Sequence, residues 1–165
     1  MIRYFAICAI LVMGLGTQDA AAELSLEGPC SNDFRWTATL VNQGGGGIAT
    51  YNQCFPSEDL FYMRCRPGSD AVQVTLEYPF TGLAAQDRLD AAFVVGGESF
   101  PVSGRAIYSE MLGAGYPEFT VSRSDPLFTA LQQGSEASLT LAGATFTMHL
   151  TGSSDMIGAM FEACP

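Results

Sequence analysis

Apolar and polar residues alternate through much of this chain, and alternation marks half-buried strands. Val72, Val74, Leu76 and Tyr78 fall on one face, with Gln73, Thr75 and Glu77 on the other. Leu89, Ala91, Phe93 and Val95 repeat the pattern. Gly96-Gly97 then supplies two residues that accept positive φ, as a two-residue hairpin turn requires. That turn would set Phe93 opposite Phe100 and Ala91 opposite Val102, so turn and register agree. A second hairpin passes the same test. Ala137, Leu139 and Leu141 precede an Ala142-Gly143 turn, and Ala144, Phe146, Met148 and Leu150 return. Leu139 then faces Phe146 and Ala137 faces Met148, and a slip of one residue would destroy both matches.

The first half is less regular. Arg35 to Val41 and Ile48 to Cys54 read as strands flanking a glycine-rich loop, Gln43 to Gly47. Leu60 to Arg66 is an aromatic-rich strand. Ala106 to Ser109 and Glu118 to Ser122 are further strands, separated by Gly113-Ala114-Gly115-Tyr116-Pro117. Two helices are expected. Ser124 or Asp125 caps the first, with Pro126 in its first turn, Leu127, Phe128 and Leu131 as its apolar stripe and Gly134 as its C′ stop. The second follows Gly152-Ser153-Ser154, whose serines read as caps, with Asp155 near its positive start. Its stripe runs through Met156, Ile157, Met160, Phe161 and Cys164, so Cys164 should point at the core. Seven or more short strands with two short helices, the second C-terminal, predict an all-β fold: a disulfide-stapled β-sandwich or barrel-like domain.

The N-terminal pattern differs. Arg3 precedes an unbroken apolar run, Phe5 to Leu15, and Ala20-Ala21-Ala22 follows. A charged start, a short apolar stretch and an A-x-A site read as a signal peptide, residues 1–22, cleaved after Ala22. The run is shorter than the ~20 residues that span a bilayer, and no later stretch approaches that length. Residues 23–165 are then one β-rich domain, periplasmic or secreted, with no membrane insertion after cleavage.

The full chain carries a net charge of −10, and the leader holds one Arg and one Asp, so the domain keeps that value. Such a charge repels nucleic acid and anionic lipid; a cationic protein partner fits it better, and solubility alone explains it as well. All seven basic residues are Arg. Without lysine there is no phosphate-binding loop with its lysine, no Schiff base and no Ser–Lys dyad. The single histidine, His149, excludes multi-histidine metal centres within one chain.

Of five cysteines, Cys8 belongs to the leader. Cys30, Cys54, Cys65 and Cys164 remain, at separations of 24, 11 and 99, which lack the close pairs of a zinc site. Four cysteines in an exported domain imply two disulfides. Cys164 lies on the helix stripe and Cys65 ends a strand suited to the sheet centre, which favours Cys65 with Cys164 and Cys30 with Cys54. Cys54 with Cys65 and Cys30 with Cys164 is the rival solution, because domain termini often lie close together.

No catalytic constellation converges. His149 shares a polar strand face with Thr145, Thr147 and Thr151, and no nucleophile elbow surrounds Ser153 or Ser154 as a partner for it and Asp155. Gly44 to Gly47 could cradle an anion, but lacks the sequence that opens a phosphate-binding helix. Glu58-Asp59 and Asp87 with Asp90 are the nearest carboxylate pairs, and Glu110 and Glu118 complete the set for a small hydrolase. Trp36, Tyr51, Phe61, Tyr62 and Tyr116 either fill the core or form a recognition patch.

The stretch from Leu60 onward ends an apolar strand in Cys65, continues through several strands, and closes with the hairpin Ala137 to Leu150, Thr151-Gly152-Ser153-Ser154 and a helix finishing in Cys164. This resembles small bacterial periplasmic proteins, the invasion-associated locus B proteins and the accessory periplasmic proteins of type VI secretion. The resemblance implies a β-rich envelope protein without a known active site. The sequence therefore reads as an exported, non-enzymatic envelope or accessory protein that binds another macromolecule. The alternatives are a carboxylate-dependent hydrolase and an acidic inhibitor or immunity-type protein. No cofactor is implied.

Overall fold

A computed structural model describes residues 23–41, 45–56, 58–78, 80, 82–110 and 113–165. The expected leader, together with Gln43 and Gly44 of the glycine run, lies outside these residues. In chain order the elements are β1 (Glu23–Glu27), β2 (Phe34–Val41), β3 (Gly46–Gln53), β4 (Asp59–Cys65), β5 (Ala71–Leu76), β6 (Arg88–Val95), β7 (Glu98–Ser109), β8 (Ala114–Ser122), α1 (Pro126–Gln133), β9 (Glu136–Leu141), β10 (Ala144–His149) and α2 (Ser153–Glu162).

All ten strands join one unclosed antiparallel sheet in the order β1-β2-β3-β4-β5-β8-β7-β6-β9-β10. One continuous sheet, rather than two packed ones, places the fold on the barrel-like side of the expected pair. Both hairpins have the register that their turns dictate: Phe93 faces Phe100, Ala91 faces Val102, Leu139 faces Phe146 and Ala137 faces Met148. Gly96, Gly97, Ala142 and Gly143 all take positive φ, as these turns demand. The β6–β7 return strand continues without a break into the stretch Ala106 to Ser109, so two expected strands are one 12-residue strand.

The sheet rolls until its two halves face each other and β10 comes up against β2 and β3. Phe61 of β4 lies edge-on to Phe93 of β6, with ring centroids 6.1 Å apart, and Tyr51 of β3 lies 6.4 Å from Phe146 of β10. Between β10 and β2–β3 the join is made by side chains rather than by a strand ladder. The Trp36 indole N–H donates to the His149 carbonyl at 2.9 Å, and the His149 amide donates to the Tyr51 hydroxyl at 3.3 Å. Burial holds the Tyr51 phenol above its ordinary pKa, which keeps that acceptor neutral.

Helices α1 and α2 pack against each other, and α2 also covers β2 and β3. Ile157, Met160 and Cys164 are fully buried. Burying the first two contributes roughly 3–6 kcal/mol. Disulfides join Cys30 to Cys54 and Cys65 to Cys164, the first of the two pairings considered. Arg123 holds the same end of α2: its guanidinium donates to the Phe161 carbonyl at 2.9 Å and to that of Cys164, and stacks 5.3 Å over the Phe161 ring. A cation at a helix C-terminus also suits the dipole.

Four local expectations need correction. Ala114 to Pro117 belong to β8, paired with the end of β7, rather than to a connection between strands. Gly46 and Gly47 belong to β3 rather than to a loop, and both are buried. Gly47 is needed because a Cβ there would sit 2.7 Å from the Met160 carbonyl oxygen and 2.9 Å from Met160 Cα in α2. Gly134 ends α1 in extended rather than left-handed backbone; a Cβ there would come within 2.6 Å of Val95 Cγ1, so packing is what selects glycine. The serines do not cap α2. Gly152 occupies the N-cap position, and buried Ser153 donates its hydroxyl to the carbonyls of Leu131 and Leu150, both at 2.7 Å, tying α2 to α1.

Candidate functional site

Because side chains alternate along a strand, each inward row of core residues leaves an outward row of polar ones. Cross-strand register then decides which outward residues become neighbours. On β4, β5 and β8 the rows align Arg64 with Gln73 and Thr120, and Tyr62 with Thr75 and Glu118. On β8, β7 and β6, Glu118 faces Arg105, Arg105 faces Arg88, and Ser103 faces Asp90. The outer face thereby gathers arginines that are far apart in sequence.

Three adjoining hollows follow these rows. The largest, about 710 Å³, is lined by Arg88, Asp90, Ser103, Arg105, Glu118 and Thr120, among others. Gly104 also lines it, and a Cβ there would collide with the Glu118 carbonyl and the Phe119 ring. A second, about 280 Å³, shares Thr120 and adds Gln73, Arg64 and Arg66. A third, about 340 Å³, shares both of those arginines and reaches Gly45 to Ile48. Of the six arginines in the described residues, Arg35 pairs with Glu27 at 2.6 Å and Arg123 clamps α2. The other four, Arg64, Arg66, Arg88 and Arg105, are exposed, form no ion pair among the described residues, and all line this belt.

Glu23 lines the third hollow with Arg64 and Arg66, and the carboxylates of the other hollows are held by neutral donors. The Ser103 hydroxyl donates to Asp90 at 2.8 Å, and the Gln73 amide donates to Glu118. Asp87 turns away and accepts the Ala84 amide at 2.8 Å, and Glu110 lies beyond the belt at the end of β7. The structure thus brings Asp90 and Glu118 to one hollow, on strands separated by β7, and leaves Asp87 and Glu110 outside it.

Beyond Glu118 the outer face becomes acidic. Glu77 has its carboxyl pKa raised, first by burial and then by the nearby Asp59 charge. The Tyr116 phenol is raised by burial and by Tyr62, Glu77 and Glu118. Thr75 is fully buried in this region, and its hydroxyl has no hydrogen-bond partner among the described residues.

The remaining candidates separate cleanly. Trp36, Tyr51 and Phe61 are core residues, whereas Tyr62 and Tyr116 are half-buried on the outer face. His149 is half-exposed, its Nδ1 3.9 Å from Glu136, while the Ser153 hydroxyl is committed to two carbonyls. No group of three or more His, Cys, Asp or Glu residues that could hold a metal ion occurs among the described residues. No helix among them is long and apolar enough to cross a membrane.

No family model, no curated protein and no solved structure matches this chain.

Proposed function

We propose that this protein is an exported, periplasmic or secreted, non-enzymatic binding protein that docks another protein on the outer face of its sheet. The observation that carries the reading is the belt of hollows on that face, where four exposed arginines lie together in a chain of net charge −10. Two disulfides support an oxidising compartment, where such bonds form and persist. The overall charge favours a cationic partner at long range. At contact the belt's own side chains govern, because charges are screened over about 8 Å at physiological salt.

A photo-reactive amino acid at Thr120, in cells that make the protein, tests the reading. It should trap a specific protein, and the same probe at Asp155 in α2 should not. Equal trapping from both positions would refute the outer face as the docking surface. A hydrolase is the second reading, favoured by Asp90 and Glu118 lining one hollow. Hydrolysis of a bound polymer by the purified protein, abolished in both Asp90→Asn and Glu118→Gln, would replace binding with catalysis.

A further inference from the structure

We infer that the outer-face belt takes an extended acidic peptide segment of a partner protein, laid across the strands with carboxylates reaching two arginine clusters at once. The inference rests on the binding reading above and names its occupant. The clusters are Arg64 with Arg66 and Arg88 with Arg105. Arg88 and Arg105 are direct cross-strand partners, so two like charges face each other, with Glu118 across from Arg105 on the far side and held by the Gln73 amide. Like charges in that position repel, and an incoming carboxylate between them relieves the repulsion. Guanidinium groups also match carboxylates bidentately, which gives direction as well as attraction.

The spacing fixes the form of the ligand. Three strand steps separate β4 from β7 and four separate it from β6, and neighbouring strands lie about 4.8 Å apart, so the clusters are roughly 15–20 Å from each other. An extended chain advances about 3.3 Å per residue and returns to the same face every second residue. Carboxylates at positions i and i+4, or i and i+6, therefore reach both clusters from one face. Between the clusters the belt offers the Thr120 hydroxyl and, since Ser103 and Gln73 donate to Asp90 and Glu118, the oxygens of Ser103 and Gln73 as acceptors for peptide N–H groups. Asp90 and Glu118 in the same hollow oppose a dense polyanion such as nucleic acid or polyphosphate. They leave room for a ligand with a few spaced charges.

The test uses the full domain and fluorescence anisotropy of a labelled, end-blocked 11-residue peptide. The peptide carries two Glu-x-Glu clusters four residues apart in a Ser/Thr background. Binding should weaken at least tenfold in Arg64→Ala/Arg66→Ala and, separately, in Arg88→Ala/Arg105→Ala. These side chains are exposed, so both variants should retain the wild-type circular dichroism spectrum. A peptide with its clusters adjacent should bind at least tenfold more weakly. Absence of binding to the spaced peptide, equal binding by either arginine variant, or stronger displacement by inorganic polyphosphate than by unlabelled peptide would overturn the inference. The Thr120 cross-link decides the broader reading separately: if it persists while the peptide fails, the docking face stands and the acidic occupant is wrong.

Discussion

Removing the two disulfides one at a time should cost unequal amounts of stability, and the inequality follows from their loops. Cys65 and Cys164 are 99 residues apart, whereas Cys30 and Cys54 are 24 apart. In the chain-entropy account a cross-link constrains the unfolded state by an amount that grows with the logarithm of the loop. The long loop gives about 4.7 kcal/mol and the short one about 3.5 kcal/mol at 25 °C, a difference of about 1.2 kcal/mol. Burial acts in the same direction. Cys65 and Cys164 are both sealed in the core, while Cys30 is exposed. Paired alanine variants avoid leaving a lone thiol. Cys65→Ala/Cys164→Ala should lower the melting temperature by on the order of 10–20 °C, and Cys30→Ala/Cys54→Ala by several degrees less. Urea denaturation followed by tryptophan fluorescence gives the same comparison in free energy, with Trp36 as the reporter. Equal losses, or a larger loss from the Cys30/Cys54 pair, would refute the loop argument.

Three further outcomes are expected. Gly47→Ala should destabilise by about 1–3 kcal/mol, because its Cβ would press on the Met160 backbone of α2; denaturant unfolding measures it, and Gly96→Ser, at a turn with open space around it, should not affect α2 packing. Trp36→Phe should cost about 1–3 kcal/mol, since the His149 carbonyl loses the donor that joins β10 to β2; loss of amide-exchange protection at His149 would mark the opened seam. Glu77 binds its proton more readily folded than unfolded, so the unfolded state carries fewer protons between the two pKa values and stability falls as pH rises through that window. Glu77→Gln should therefore flatten this fall above the ordinary carboxylate range and leave the protein slightly more stable at neutral pH, as thermal melts across pH would show.

Two-residue turns made β6–β7 and β9–β10 legible in the sequence, because each turn fixes register over the strands beside it. The stripe of α2 likewise exposed the inward direction of Cys164. What the sequence withheld was pairing between strands distant in the chain. Arg64 and Arg105 become neighbours of one groove only because β5 pairs with β8, and no local pattern announces that contact. Each arginine taken singly is an ordinary polar residue on the outer row. The same limit applies to Gly46, pressed by the Cys65 carbonyl of β4, and to Gly47, pressed by Met160 of α2 more than a hundred residues later. The trapping of Ser153 between Leu131 and Leu150 is equally tertiary.

The position of α2 also sets a timetable. A ribosome adds about 5–20 residues per second, so Cys65 emerges roughly 5–20 s before Cys164, 99 residues further along. Throughout that interval the inner face of β2 and β3 lacks the helix that will cover it, and Arg123, once made, has nothing to grip. The early strands can hold no finished core of their own. The core over β2 and β3, and the disulfide that pins α2 to β4, are therefore completed only when the last helix has been made.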